Sequence, residues 1–281
     1  QLILSKLNKM KRTGTTTIGA ISSYSYDLDA CVKSPLNKVF FCEVIGTKGD
    51  MIDTLFADFK DRLNIARKHK AANFIPAIAI HSPYSVHPFL VRETLKLARE
   101  ENLPVTSHFL ESQEEFEWLH KDEGAFVEFF KNFLNQEQSV TKPMEFLNLF
   151  SNIKNLSFTH CVEASSADFD KIKLLGASVN HCVTSNRLLN NTKLDLEKLK
   201  DIPFTIGTDG LSSNNSLSMF DELRNALMVH SDKNILEFSK ILLKAATVNG
   251  SRALGLNKGA IIKNLDADMI GFTLPDKIED K

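Results

Sequence analysis

No excess of positive charge runs through this 281-residue chain: 34 Lys and Arg face 35 Asp and Glu, for a formal net charge of -1. That balance speaks against a nucleic-acid binder, which carries a basic stripe, and against a polybasic membrane-surface protein. No apolar run approaches the roughly 18 residues of a membrane-spanning helix, and the first residues do not read as a secretory leader. Cysteine is scarce. Cys31, Cys42, Cys161 and Cys182 show none of the short paired spacings of a zinc knuckle or redox motif. Three of them sit in or at the end of apolar runs, where Cys acts as a small core residue. No G-x-S-x-G elbow of a serine hydrolase occurs. The GLNKG stretch at 255–259 follows no strand pattern and so is not a phosphate loop. The expected setting is a reducing cytoplasm, with neither nucleic acid nor membrane as partner.

What is present is a soluble globule's mixture, 43% hydrophobic and 25% charged, enough for a real core. Seven short runs read as strands: Thr15–Ser23, Val39–Gly46, Phe74–Ile80, Pro104–Phe109, Leu156–Val162, Ala177–Val183 and Pro203–Thr208. Several are apolar on both faces, the mark of strands covered on both sides in a parallel sheet. Helical periodicity fills the gaps, most clearly over Asp50–His69, His87–Glu101, Asp168–Leu175 and Met219–His230. Such alternation predicts an α/β fold, a doubly wound sheet or a barrel.

The count favours a TIM-like (β/α)8 barrel with its first strand missing. Leu2–Met10 reads as a helix with no strand before it, and losing one strand opens two rows of unpaired backbone groups. The chain is therefore expected to be part of a longer protein. Residues 1–260 are assigned to the barrel. A helical insertion lies at about 114–150, rich in phenylalanine (Phe126, Phe129, Phe130, Phe133). Residues 261–281 are assigned to the start of a small β-sandwich, with Ala267–Leu274 as the return strand and Asp276–Lys281 as a charged tail. The Phe stripe is expected to pack on the barrel or on a second copy in a homodimer, or to wall an apolar ligand group.

Barrel chemistry gathers at the C-terminal ends of the strands, and these ends are polar here: His81, His108 with Glu111 three residues on, His160, His181 followed by Thr184-Ser185-Asn186, and Asp209. A lone strand-end histidine is more often a hydrogen-bonded structural residue than a ligand. Four successive strands plus an aspartate make coincidence uncomfortable. Imidazoles and a carboxylate at one mouth suit a divalent zinc or iron ion, which lowers the pKa of bound water. Glu111 could shuttle a proton or could be only a carboxylate at a helix N-terminus. His69, His87, His120 and His230 lie away from strand ends and read as surface or satisfied residues.

Together the motifs HSPY at 81–84, SHFLE at 107–111, THC at 159–161, HCVTSNRL at 181–188 and GTDG at 207–210 resemble the amidohydrolase superfamily, in its chlorohydrolase and adenosine-type deaminase branch. ATVNGSRALGL at 246–256 is similar to the helix after that branch's eighth strand, and ADMIGF at 267–272 to its return strand. The run 33–46 and the long insertion are most like the bacterial aminofutalosine deaminases. The resemblance implies His108 and Asp209 as metal ligands, with Asp209 also taking a proton from bound water. It implies Glu111 as proton donor to the ring, His160 bonding the attacking hydroxide, and His81 touching substrate. His181 receives no catalytic role, and Ser185 and Asn186 are expected to shape their loop.

The implied reaction is metal-dependent hydrolytic deamination of an adenine-type base on a small molecule such as aminofutalosine, in menaquinone biosynthesis, with release of ammonia. One departure stands out. The family's first strand supplies two ligands from an H-x-H pair, and this chain has no H-x-H. Two expected ligands remain, one short of the usual three, so this stretch alone is expected to bind metal weakly and turn over little. Rival readings are another amidohydrolase (a chlorohydrolase, a guanine or S-adenosylhomocysteine deaminase) and a non-catalytic barrel used for binding.

Overall fold

The computed structural model describes residues 1–273. Seven strands form one parallel sheet in sequential order: β1 (Thr17–Ser22), β2 (Asn37–Val44), β3 (Phe74–Ile80), β4 (Val105–Phe109), β5 (Leu156–His160), β6 (Ser178–His181) and β7 (Phe204–Ile206). Each coincides with one of the seven runs. The sheet curls as a barrel does. Among the described residues β1 and β7 pair only with β2 and β6, so they form its two edges. The principal helices are α1 (Leu2–Arg12), α2 (Leu28–Lys33), α3 (Ile52–Arg67), α4 (Pro88–Glu101), α5 (Gln113–Lys121), α6 (Phe126–Phe129), α7 (Pro143–Asn148), α8 (Ser166–Leu174), α9 (Val183–Asn190), α10 (Met219–Val229), α11 (Ile235–Lys244) and α12 (Gly250–Ala253). None is long and apolar enough to cross a membrane.

The main core lies between the sheet's outer face and the helices. Phe40 and Cys42 of β2, Ile78 and Ile80 of β3, Phe109 of β4 and Phe158 of β5 meet Phe59, Leu63, Leu95 and Trp118 there. All four cysteines are free and buried. The inner face is divided. Val39 and Phe41 of β2 and Ala77 and Ala79 of β3 form an apolar cluster. From β4 onward the inner residues are polar and bonded in a ladder. Ser157 donates to Thr106 (2.9 Å), Asn180 to Ser157 (3.2 Å) and to Thr159 (2.9 Å), and Thr205 to Asn180 (2.7 Å).

The insertion after β4 holds three short helices rather than two longer ones. Phe130 is buried and stacks on Trp118 at 4.7 Å between ring centroids, and Phe126 meets Tyr84 edge-on at 5.1 Å. Phe129 and Phe133 point outward. Half of the Phe stripe is thus core, packed against the tyrosine of the HSPY motif.

Residues 267–273 lie in no strand. A strand needs a neighbour for its ladder, and among the described residues this segment has none. It crosses the start of β1 instead, where Asp268 accepts from Thr17 (2.6 Å) and Asn37 (3.3 Å). Leu274 and the charged tail at 276–281 lie outside the described residues.

Candidate active site

Alternation along a strand sends residues i and i+2 to one face. Residues facing inward therefore include Glu43 at the end of β2, His81 after β3, His108 on β4 and Asp209 after β7. All four line one cavity of about 1160 Å³ at the C-terminal mouth of the sheet. By the same parity His181 faces outward, and it does. It is fully buried among the helices, with its Nε2 at 3.0 Å from Nε2 of His230. His230 is therefore a satisfied buried residue, not a surface one.

His160 breaks the parity. Ser157 and Thr159 line the cavity, so a regular strand would send His160 away. The backbone turns left-handed at His160 (φ 72°) and Cys161 (φ 53°), and the imidazole swings back toward Glu111 and Asp209. Leu110 (φ 46°), which presents Glu111, and Asp209 (φ 57°) adopt the same disfavoured region. Such backbone costs of order 1–3 kcal/mol per residue and persists only where surrounding contacts hold it.

Those contacts are visible. The N–H groups of Leu110 (3.1 Å) and Glu111 (2.8 Å) both donate to the buried side chain of Glu115, whose own backbone N–H donates to the hydroxyl of Ser112, the cap of α5. Asn186 Oδ1 accepts from Nδ1 of His160 at 2.8 Å. Asp209 accepts from Ser185 (2.7 Å), Ser213 (3.1 Å) and the Gly210 N–H (2.7 Å). Ser185 and Asn186 thus do more than shape a loop: each orients one polar group of the mouth.

Two carboxylate–imidazole clusters result. In the first, ligand atoms of Glu111, His160 and Asp209 lie within 4.8 Å of one another, with His160 Nε2 3.5 Å from Glu111 Oε1. In the second the same holds for Glu43, His81 and His108. His108 bridges them, its ring stacked on His160 at 5.4 Å and tilted against His81 at 5.2 Å. Sequence reasoning assembled every member except Glu43, Ser185 and Asn186 in those roles. The signal for Glu43 was a lone charge inside VFFCEV, on the strand face shared with Val39 and Phe41.

Electrostatics separate the carboxylates. Burial pushes the Glu111 carboxyl above its ordinary value, with Asp209 adding to the rise and His108 opposing it. Burial also pushes Asp209 up, but the Ser185 hydroxyl, His160, the Gly210 N–H and His108 outweigh it and leave Asp209 below the usual range. Burial holds His81 neutral, down to about 3, and His160 down to about 4. The site therefore offers one carboxyl favoured as an acid, one as an anion, and imidazoles in their ligand form.

These donors fit a divalent ion. His108 donates its Nδ1–H to the His81 carbonyl (2.7 Å), which leaves Nε2 free with its tautomer set, as metal-binding imidazoles require. Asp209 offers an anionic oxygen close by.

The amidohydrolase family model matches residues 2–280. The chain is 47% identical over 270 residues to an aminodeoxyfutalosine deaminase of Nitratiruptor sp., covering 96% of this chain and 66% of that relative. It is 35% identical to an adenosine deaminase of Helicobacter pylori, covering 98% and 68%. It thus spans about two thirds of the length of these relatives. The structure of H. pylori aminofutalosine deaminase in complex with methylthio-coformycin superposes with a TM-score of 0.88 at 32% identity, over 94% of this chain and 65% of that one. An adenosine deaminase of Xanthomonas campestris with bound zinc shares the fold at 23% identity and TM-score 0.69, over 92% and 58%.

Proposed function

This chain belongs to the amidohydrolase family, and on that premise we propose that it carries the proton-transfer half of a metal-dependent deaminase of adenine-type nucleosides, aminofutalosine above all. The observation that carries the reading is the split between Glu111 and Asp209: two carboxylates around one imidazole, one pushed toward the acid and the other toward the anion. A hydrolytic deaminase needs both, since the ring nitrogen must gain a proton while water loses one.

His108 and Asp209 would hold the ion, zinc in one structural neighbour. When bound, the ion polarises water for addition to the amino-bearing carbon. Glu111 gives its proton to the ring nitrogen, which makes that carbon electrophilic. Asp209, kept anionic by Ser185 and Ser213, takes a proton from the water and passes it toward the leaving amine. His160, its Nδ1–H committed to Asn186, presents Nε2 beside Glu111 and steadies the tetrahedral adduct. His81 is fixed by Ser82 and Ser85 at 3.0 and 2.5 Å and aims its other nitrogen at the bound base or sugar. Residues from 261 onward are read as leading into a β-sandwich.

Ammonia release with aminofutalosine, adenosine, S-adenosylhomocysteine and guanine tests the reading. Release from the adenine nucleosides, fastest with aminofutalosine, is expected. Release from guanine but not from the adenine nucleosides would overturn it.

A further inference from the structure

Glu43 belongs to no step above, yet it is 3% exposed and stands on the inner face of β2 in an otherwise apolar cluster. One carboxylate oxygen accepts from the Ser23 hydroxyl at 2.5 Å. The other accepts no hydrogen bond among the described residues. The carboxylate borders the cavity, with His81 and His108 nitrogens within 4.8 Å. The lysines of the cavity lining are Lys6 on α1 and Lys258, and neither forms an ion pair with Glu43; Lys258 faces Asp268 instead, at 3.5 Å.

A buried carboxylate with a free acceptor oxygen beside a cavity favours a ligand that brings a donor to it. Asp27, a further carboxylate of the cavity lining, is already engaged with the Ser22 hydroxyl. A rim of this charge repels anionic ligand groups and favours neutral ones that bring O–H donors.

Resting on the nucleoside reading above, we propose that Glu43, seated by Ser23, is a specificity-determining residue that accepts a hydrogen bond from a sugar hydroxyl of the substrate and rejects a phosphate there. A hydroxyl–carboxylate bond is charge-assisted and among the stronger kinds, whereas a phosphate at the same place would meet a buried like charge.

Calorimetric binding of adenosine, 2′,3′-dideoxyadenosine and adenosine 3′-monophosphate to the chain and to its Glu43→Gln variant tests this, with thermal melting to verify folding. The chain is expected to bind adenosine about tenfold or more tighter than either analogue. In Glu43→Gln both ratios should shrink to within about threefold, because an amide accepts less strongly and repels nothing. Equal binding of adenosine and the dideoxy analogue by the unmodified chain would overturn the proposal without any variant. Unchanged ratios in a folded Glu43→Gln protein would overturn it while leaving the nucleoside reading intact. Failure of all three ligands to bind would overturn that reading and this inference with it.

Discussion

The two halves of the sheet are built on different rules. Across β1–β3 the inner face is apolar, Val39, Phe41, Ala77 and Ala79 in mutual contact, and a single carboxylate, Glu43, interrupts it. Across β4–β7 the inner face is a hydrogen-bonded ladder from Thr106 to Thr205, crowned by three strand ends in left-handed backbone. Two carboxylate–imidazole clusters of similar composition stand at the mouth, one joining Glu43 and His81 to His108 of β4, the other drawn wholly from β4–β7. The β4–β7 cluster is the more heavily braced, by Glu115, Asn186, Ser185 and Ser213, and its two carboxyls part in acidity, whereas the Glu43 side chain is held by Ser23 alone. Groups that move protons need both their geometry and their charge over-determined. A group that only recognises can stand alone on an ordinary strand.

The sharpest way to break this contrast is to remove one carboxylate from each half. Glu111→Gln keeps shape but removes the proton, and general acid–base contributions of about 10²–10⁴ put the expected fall in kcat near 10³, with metal content by atomic absorption unchanged. Glu43→Gln should act mainly on substrate affinity. Comparable losses of kcat from both variants would erase the distinction between a reacting half and a recognising one.

A smaller effect is expected one layer out. Ser185→Ala leaves Asp209 without its shortest side-chain donor, and Asn186→Ala frees the His160 ring. Partners of this kind are worth about 10–100-fold in activity or metal affinity. Ser185→Ala should also shift the acidic limb of the kcat/KM profile upward, since its hydroxyl is the chief force lowering the Asp209 carboxyl. Steady-state profiles carried below the ordinary aspartate value of 3.8 would show it; an unmoved limb there would mean that Asp209 does not act as the anion.

Strand order, both free edges and nearly all of the mouth were legible in the sequence, and the two-residue alternation explains why. The parity that places Phe40, Cys42 and Phe109 in the helix-facing core places Phe41, Glu43, Thr106 and His108 inside. It also sends His181 outward, against His230. His160 was legible as a strand-end residue, but its inward turn was not, because left-handed turns at residues without glycine leave no compositional trace. Glu115 and Asn186 were illegible as partners for a related reason. Their contacts depend on where helices α5 and α9 start relative to neighbouring strands, and helix-starting residues look alike whether they cap a helix or hold a catalytic group. The missing strand at 267–273 follows from the same logic: a β-like composition specifies a willing strand, not a partner for it.

The gentlest test uses the histidines that do no chemistry. His181 and His230 face each other behind the polar half, held neutral chiefly by burial at about 3 and about 4, against an ordinary value near 6.5 in the unfolded chain. Below pH 6.5 the unfolded state takes up protons that the native state refuses until near pH 4. Their stabilisation is therefore complete above pH 6.5 and drains away as the pH falls. His81 and His160 are shifted the same way at the mouth. If the two pairs contribute alike, a His181→Phe/His230→Leu double variant should flatten the fall of melting temperature between pH 6.5 and 4.5 by about half. A slope as steep as before would mean that this buried pair does not carry the acid sensitivity.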